Sequence, residues 1–399
     1  MTLVLTFLGL YLLSTGASVL IFSYLVDDPG ISISSGDLAD ARARIAELPK
    51  TEECPINGGM FSEVERDIWE GRRPVTAVIE NHVDARPLSG LSKADVVYEA
   101  VAEGGITRLL GVFYCDAASE SLKVAVIRSA RVYFVNWAAE YGEDPIFLHW
   151  GGANSICGHC YGGVKPKSEL DPRVDAFALL SKLGWRSGQY GNDFDGGTTV
   201  GFPVVVRDET RLGGAPVSSE HQPAANLDEL YKEAEKRKFG YKDEDGVAWD
   251  ENFESWSFID ESPSSSPEAT KISFDFWNNN KGYEVEWRYD PQTNTYMRYN
   301  GGEAFVDWEY DSETVGAKNV VIMFVDEEGP VDSEKHMYYD VTGGGKAIVF
   351  QNGNVVKGTW TKKSIDGRTK FYDTDGKDIS FVRGAIWIEA VPDGNDIDY

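Results

Sequence analysis

Residues Thr2 to Val26 carry no charge and are dominated by Leu, Val, Phe and Ile. A run of this length, 25 residues, spans a hydrocarbon core of about 30 Å as a tilted helix. In lipid the backbone must satisfy its own hydrogen bonds, which leaves a single segment only the helical form. A cleaved signal peptide has a shorter apolar core, a basic start and a small-residue cut site. Gly16-Ala17-Ser18 offers small residues, but inside the run. The reading is an uncleaved transmembrane anchor over residues 1–26, with the body that begins at Asp27 and Asp28 held outside the cytoplasm.

That body is long enough for two domains and a sizeable core. The formal net charge of −27 repels phosphate backbones, so nucleic acid is not an expected partner. Residues 27–60 read as a juxtamembrane stalk, with a short helix over Asp37–Leu48. Residues 61–240 read as an α/β domain, 241–270 as a polar connection and 271–399 as a β-rich domain.

The centre of the first domain is Pro74 to Cys115. Three apolar, β-like runs, Val75–Ile79, Val96–Ala102 and Leu109–Tyr114, alternate with Glu80, Asn81, Arg86, Asp95, Glu99, Glu103 and Arg108. Strands with reactive side chains at their ends are how α/β domains build sites. A further strand, Lys123–Ile127, leads through Arg128-Ser129-Ala130-Arg131 into a helix over Val132–Tyr141. With Ser129 as N-cap and Arg128 and Arg131 beside it, that helix start suits an anion. Internal pairing of the same arginines with Glu80, Glu99 and Glu103 is the plainer alternative. His149, at the end of Pro145–Leu148, ranks first among the five histidines as a site residue.

Alternation places Glu99 and Glu103 on one strand face, about 13 Å apart. Paired glycosidase carboxylates sit at about 5–9.5 Å. No G-x-S-x-G elbow is present to support a Ser-His-Asp triad. Gln189–Thr199 is rich in Gly and Asp without EF-hand spacing. No cofactor is expected.

Several longer words narrow the picture. ENHVDARPLSGLSKADVVYEAVAEGGITR, VIRSARVYFVNWAAEY and FLHWGG resemble the N-terminal domain of YerB-like proteins, bacterial envelope lipoproteins without an assigned activity. VEWRYDPQTNTYMRYNGGEAFVD, GGGKAIVFQNGNVVKGTWTK and RGAIWIEAVP resemble that family's C-terminal domain. The resemblance implies an envelope location. It also implies a His where Phe305 stands, so a polar role there is lost. Lipid attachment does not carry over, because no cysteine precedes Cys54.

Four cysteines in an exported body suggest disulfides. A bridge between Cys54 and Cys115 would tie the stalk to the sheet. Cys157 and Cys160 form a CGHC motif. It lacks the following helix that lowers a redox thiol's pKa. A tight local disulfide, or a zinc site with His159 or His149, remain open readings.

From Lys271 onward short strands recur between turns at Asp290–Asn294, Gln351–Asn354 and Asp373–Gly376. Trp287, Tyr289, Tyr296, Tyr299, Trp308, Trp360 and Trp387 are either core or a sugar-stacking surface, and core is the ordinary fate. The fold class expected is therefore α+β, an α/β domain followed by a β-rich sandwich or partly open barrel, preceded by one transmembrane helix. The function expected is that of a membrane-anchored envelope protein. It would bind a wall polymer or envelope protein through Glu80, Asn81, Arg86, Glu99, Glu103, Arg108, Arg128, Arg131 and His149. The alternative is a hydrolase or transferase on envelope polymers, with Glu103 or His149 as acid and base.

Overall fold

Alternating apolar runs from both halves of the chain meet in a single eleven-stranded sheet of the computed structural model, which describes residues 44–187 and 191–399. The anchor candidate Thr2–Val26, most of the Asp37–Leu48 helix candidate, and Gln189 and Tyr190 lie outside the described residues. Among the described residues no helix is long and apolar enough to cross a membrane.

The strands of the main sheet are, in chain order, β1 (Val75–Glu80), β2 (Val96–Glu103), β3 (Ile106–Phe113), β4 (Ile146–His149), β5 (Asp193–Asp195), β6 (Asn319–Glu328), β7 (Gly343–Gln351), β8 (Asn354–Lys362), β9 (Lys370–Asp373) and β10 (Ile386–Pro392). Their spatial order is β9-β8-β7-β6-β10-β2-β3-β1-β4-β5, with Tyr338–Asp340 added beside β6. The last strand, β10, lies between β6 and β2 and runs parallel to both. Every residue of β1 is buried. Such runs, buried on both faces, are what a covered sheet requires.

One face is covered by α2 (Val132–Ala138), whose Trp137 stacks on Tyr98 of β2 with ring centres 5.0 Å apart. The other face is covered by an antiparallel sheet built from Lys271–Phe274, Val285–Asp290 and Thr295–Asn300. Two other helices are fixed by local side chains. In α1 (Glu63–Trp69), Ser62 and Glu65 form a reciprocal capping box. In α4 (Leu227–Lys236), Asn226 caps the Glu229 N–H, and Leu227, Leu230, Tyr231 and Ala234 bury one face. Between them in the chain lies α3 (Ala176–Lys182).

Residues 49–399 form one compact unit, and the segment 241–270 packs into it. Trp249 and Trp256 of that segment are buried, and Trp256 Nε1 donates to the Thr369 carbonyl. The β-rich segment does not close into a sandwich or barrel of its own. Its strands divide between the shared sheet and the covering sheet, because β10 leaves its neighbours to pair with β2.

Buried charge sits where the halves meet. Glu140, just beyond α2, accepts from Lys362 at 2.9 Å, Arg368 at 2.8 Å, Thr369 Oγ1 at 2.6 Å and Tyr98 at 2.6 Å. Asp307 accepts from the Gly90 and Ser92 backbones at 2.9 and 2.8 Å. Cys54 is bonded to Cys115, and Cys157 to Cys160. The first bridge holds the segment before α1 against the end of β3. The closed second bridge leaves no thiolate to ligate zinc.

Of the aromatic set, Trp287, Tyr296, Trp360 and Trp387 are at most 2% exposed, so no sugar-stacking platform is formed by them. Phe305 is buried against Trp387.

Candidate functional site

The local conformation at the end of β2 decides which residues can share a site. Gly104 and Gly105, both at positive φ (58° and 83°), make the tight turn into β3. The β2–β3 register shifts between Val101 and Glu103. Up to Val101 the pairs are regular, with Ala100 opposite Arg108 and Glu99 opposite Leu109. Past the irregularity Glu103 lies opposite Ile106, on the face that carries Arg108. A bulge reverses the side-chain alternation beyond it. Glu99 and Glu103, expected on one face, therefore lie on opposite faces of the sheet.

On the α2 face, Glu103 joins Arg108 at 2.7 Å and Arg131 at 2.5 Å. Both guanidinium groups are nearly sealed from solvent, at 4% and 6%. Burial opposes charge on Glu103. Arg108 and Arg131 outweigh it and hold the carboxyl down to about 2. Burial, with Arg131 alongside, lowers Arg108 to about 10. These two arginines share the single Glu103 carboxylate and bond the Ser129 and Ala130 carbonyls, so both are turned inward and the outward grip expected of them is not formed. Glu103 also cannot carry a proton near neutral pH, which removes it as a general acid.

This ion pair gives a testable acid limb. The Glu103 carboxyl titrates lower folded than unfolded, so its stabilisation is complete above about 4.5 and is lost as pH falls toward about 2. Glu103→Gln should flatten that limb. Urea midpoints taken from neutral pH down to about 3 should converge for wild type and variant. Parallel curves would mean that Glu103 is not so held.

Arg128 differs from its neighbours. Its side chain is 25% exposed. It lies 3.1 Å from Glu80, and Nη1 donates to the Glu220 carbonyl at 3.3 Å. Glu80 Oε2 is also 2.8 Å from Nδ1 of the buried His221. The His221 ring stacks on His82 at 5.3 Å. These residues, with Asp84, Glu103, Arg108 and Glu220, line a cleft of about 420 Å³. Arg211 fixes the cleft's two loops together. It donates to the Ala85, Pro87 and His221 carbonyls.

The N-cap expected at Ser129 is not formed. Helix α2 begins at Val132 with Arg131 in the cap position and no side-chain cap, and has only seven residues. Ser129 instead donates to the Trp150 carbonyl at 3.1 Å.

On the opposite face Glu99 is fully buried and accepts from Thr107 at 2.6 Å, Asn81 at 3.1 Å and Arg298 at 2.7 Å. Arg86 donates to the Asn81 side chain at 2.9 Å and to the Gly282 carbonyl at 2.9 Å. Burial lowers Arg86 to about 10. Asn81, Arg86 and Glu99 thus bind the covering sheet and stand apart from the cleft.

His149 forms a third cluster. It is fully buried, pairs with Asp193, and its Nδ1 faces the Gly151 carbonyl at 2.6 Å. Burial opposes its charge, but Asp193 and Asp195 outweigh this and raise its pKa. Arg186 closes the cluster through Asp193 and Asp195. With no open face, His149 is structural, which corrects its ranking as the leading site histidine and its assignment as acid or base.

Of the nine expected ligand-binding residues, the structure brings Glu80, Glu103, Arg108 and Arg128 to one cleft, with Arg131 behind Glu103. His82, Asp84 and Glu220 were not singled out as site residues. Their signal is weak, because His221 and Glu80 are 141 residues apart. Only the HVD turn directly after β1 hinted at them.

Comparisons with known proteins agree along most of the chain. Residues 62–171 match the model of the N-terminal domain of "Protein of unknown function (DUF3048)", and residues 272–388 match the corresponding C-terminal domain. The chain is 31% identical over 356 residues to "Putative lipoprotein YerB" of Bacillus subtilis (strain 168), covering 88% of this chain and 89% of that protein. The crystal structure of the Bacillus subtilis YerB protein superposes with a TM-score of 0.63 at 27% identity, over 88% of this chain and 100% of that one.

Proposed function

The chain belongs to the two-domain DUF3048 family, and from that premise we propose that it is an extracytoplasmic envelope protein that holds an anionic group of an envelope polymer or envelope protein in the cleft around Arg128. The lipoprotein name of its Bacillus relative supports an envelope location. The uncharged run Thr2–Val26 supports a membrane anchor in this chain.

The single observation that carries the binding reading is the exposure of Arg128. Arg108 and Arg131 are sealed against Glu103, while Arg128 keeps 25% of its side chain open on the cleft. Glu80 beside it orients the guanidinium and lowers its freedom. Glu220 and Asp84 also line the cleft. A well-matched ligand therefore offers a carboxylate or phosphate to Arg128 and amide or amine donors to the carboxylates. Polymers bearing short peptides have that mixture.

The test uses the purified full-length chain and isolated envelope fractions. Wild type should be retained, and Arg128→Ala should bind about tenfold or more weakly, the loss expected for a hydrogen bond to a charged group. Retention equal to wild type would overturn the assignment of Arg128. Release of soluble fragments from the polymer would replace binding by turnover.

A further inference from the structure

The cleft that Arg108 and Arg128 line also carries a set of ligating groups, in which His82 Nδ1 accepts from the Asp84 backbone N–H at 3.2 Å. His82, Asp84 and His221 place two imidazoles and a carboxylate so that their ligand atoms all lie within 4.8 Å of one another. A mere surface cluster would mean little, but His221 is only 5% exposed. Its Nδ1 is held by Glu80 at 2.8 Å. Its Nε2 has no hydrogen bond among the described residues, although the residue lines the cleft. A buried imidazole fixed at one nitrogen by a carboxylate and free at the other is the arrangement that outer carboxylates impose on metal-binding histidines.

We propose that His82, Asp84 and His221 bind a zinc ion, with Glu80 as the positioning residue behind His221. Two imidazoles and one carboxylate are a common three-ligand set for zinc and leave a fourth position open. The ligand atoms must contract, since tetrahedral bonds of about 2.0–2.1 Å put them about 3.3 Å apart. Rotation of the His82 and Asp84 side chains can supply this, because the Asp84 side chain is 76% exposed and the His82 side chain 29%. Arg211 ties the backbone of the turn that carries them to the His221 segment by donating to the Ala85, Pro87 and His221 carbonyls, so the frame of the site is fixed while its exposed side chains close. Asp84 and Glu220 offset the cation's charge, as does the strongly acidic chain. The open position faces the same cleft as Arg128, so an anionic oxygen could bridge both. That last feature rests on the proposed binding function; capture of the cation does not.

The experiment uses the full-length chain with its disulfides intact, dialysed to equilibrium against zinc, with cobalt absorption as a second readout. Wild type should take up one equivalent of zinc, and the cobalt form should show tetrahedral bands without thiolate charge transfer. His82→Asn and Asp84→Asn should each weaken binding at least about tenfold, and Glu80→Gln about 10–100-fold. Asp84→Asn, at an exposed position, keeps the test valid should Glu80→Gln misfold. The Cys157→Ala/Cys160→Ala variant should bind as wild type does. Equal zinc uptake by wild type and by His82→Asn/Asp84→Asn would overturn the site, as would no uptake by wild type. Zinc bound through these residues without envelope retention would overturn the proposed function and leave the metal site standing.

Discussion

Deleting residues 386–399 should abolish cooperative folding of the whole body, including the segment near residue 100. Strand β10 is the last in the chain, yet it lies between β2 and β6 and pairs with both. Its Ile386, Trp387, Ile388, Ala390 and Val391 are buried at 2% exposure or less. At about 1.5–3 kcal/mol for each of the four large side chains, their burial contributes roughly 6–12 kcal/mol. That is comparable to the total stability of an ordinary domain, about 5–15 kcal/mol. The loss also opens two buried strand edges to water. Urea titration followed by circular dichroism should show no sharp transition, and limited proteolysis should cut within β2. A truncated chain that unfolds at the wild-type midpoint would show that the two sequence segments are independent domains. Ile388→Asp should act in the same direction without shortening the chain, since it places an unpaired charge in the core.

Arg298→Met should be the most damaging change of a single polar side chain. Arg298, Glu99 and Glu389 are all fully buried, and the guanidinium pairs with both carboxylates. Trp287 Nε1 adds a donor to Glu389 at 2.9 Å. One cation cannot neutralise two buried anions. Burial, against the pull of Arg298 and with the repulsion of Glu99, pushes Glu389 up to about 8. Protonation of Glu389 therefore relieves the cluster's excess negative charge. Because the folded value lies above the unfolded one near 4.5, this contribution to stability is complete below about 4.5. It is lost as pH rises through about 8. Removing the cation leaves Glu99 uncompensated, at a cost of about 3–5 kcal/mol. The deficit should be larger at alkaline than at mildly acidic pH, since protonation relieves a buried carboxylate. Adding Glu389→Leu to Arg298→Met should recover part of the loss. A loss unchanged across pH and unrelieved by the second substitution would point to packing volume instead of charge.

These two clusters also explain what the sequence could and could not reveal. Helix α4 carries its signal locally, because Asn226 and the Leu227, Leu230, Tyr231 and Ala234 pattern act within one or two turns. The short strands and turns of the second half were legible for the same reason. The choice between internal pairing and outward display of arginines was not, because it depends on partners far along the chain. Arg298 reaches Glu99 across 199 residues, and Lys362 reaches Glu140 across 222. His149 looked available at a strand end, but β5 brings Asp193 against it from 44 residues away.

By itself the sequence determined the apolar leader, the order of strands and turns, the charge that disfavours nucleic acid, and the words that mark the family. All of these are set by neighbouring residues or by composition. Only the tertiary structure decided that β10 merges two sequence segments into one sheet. It also decided that a bulge moves Glu103 away from Glu99, and that Arg128, unlike Arg108 and Arg131, stays partly open beside His221. The reason is physical: burial and charge pairing depend on distances between residues remote in the chain, and a one-residue slip in strand register exchanges the two faces of a sheet.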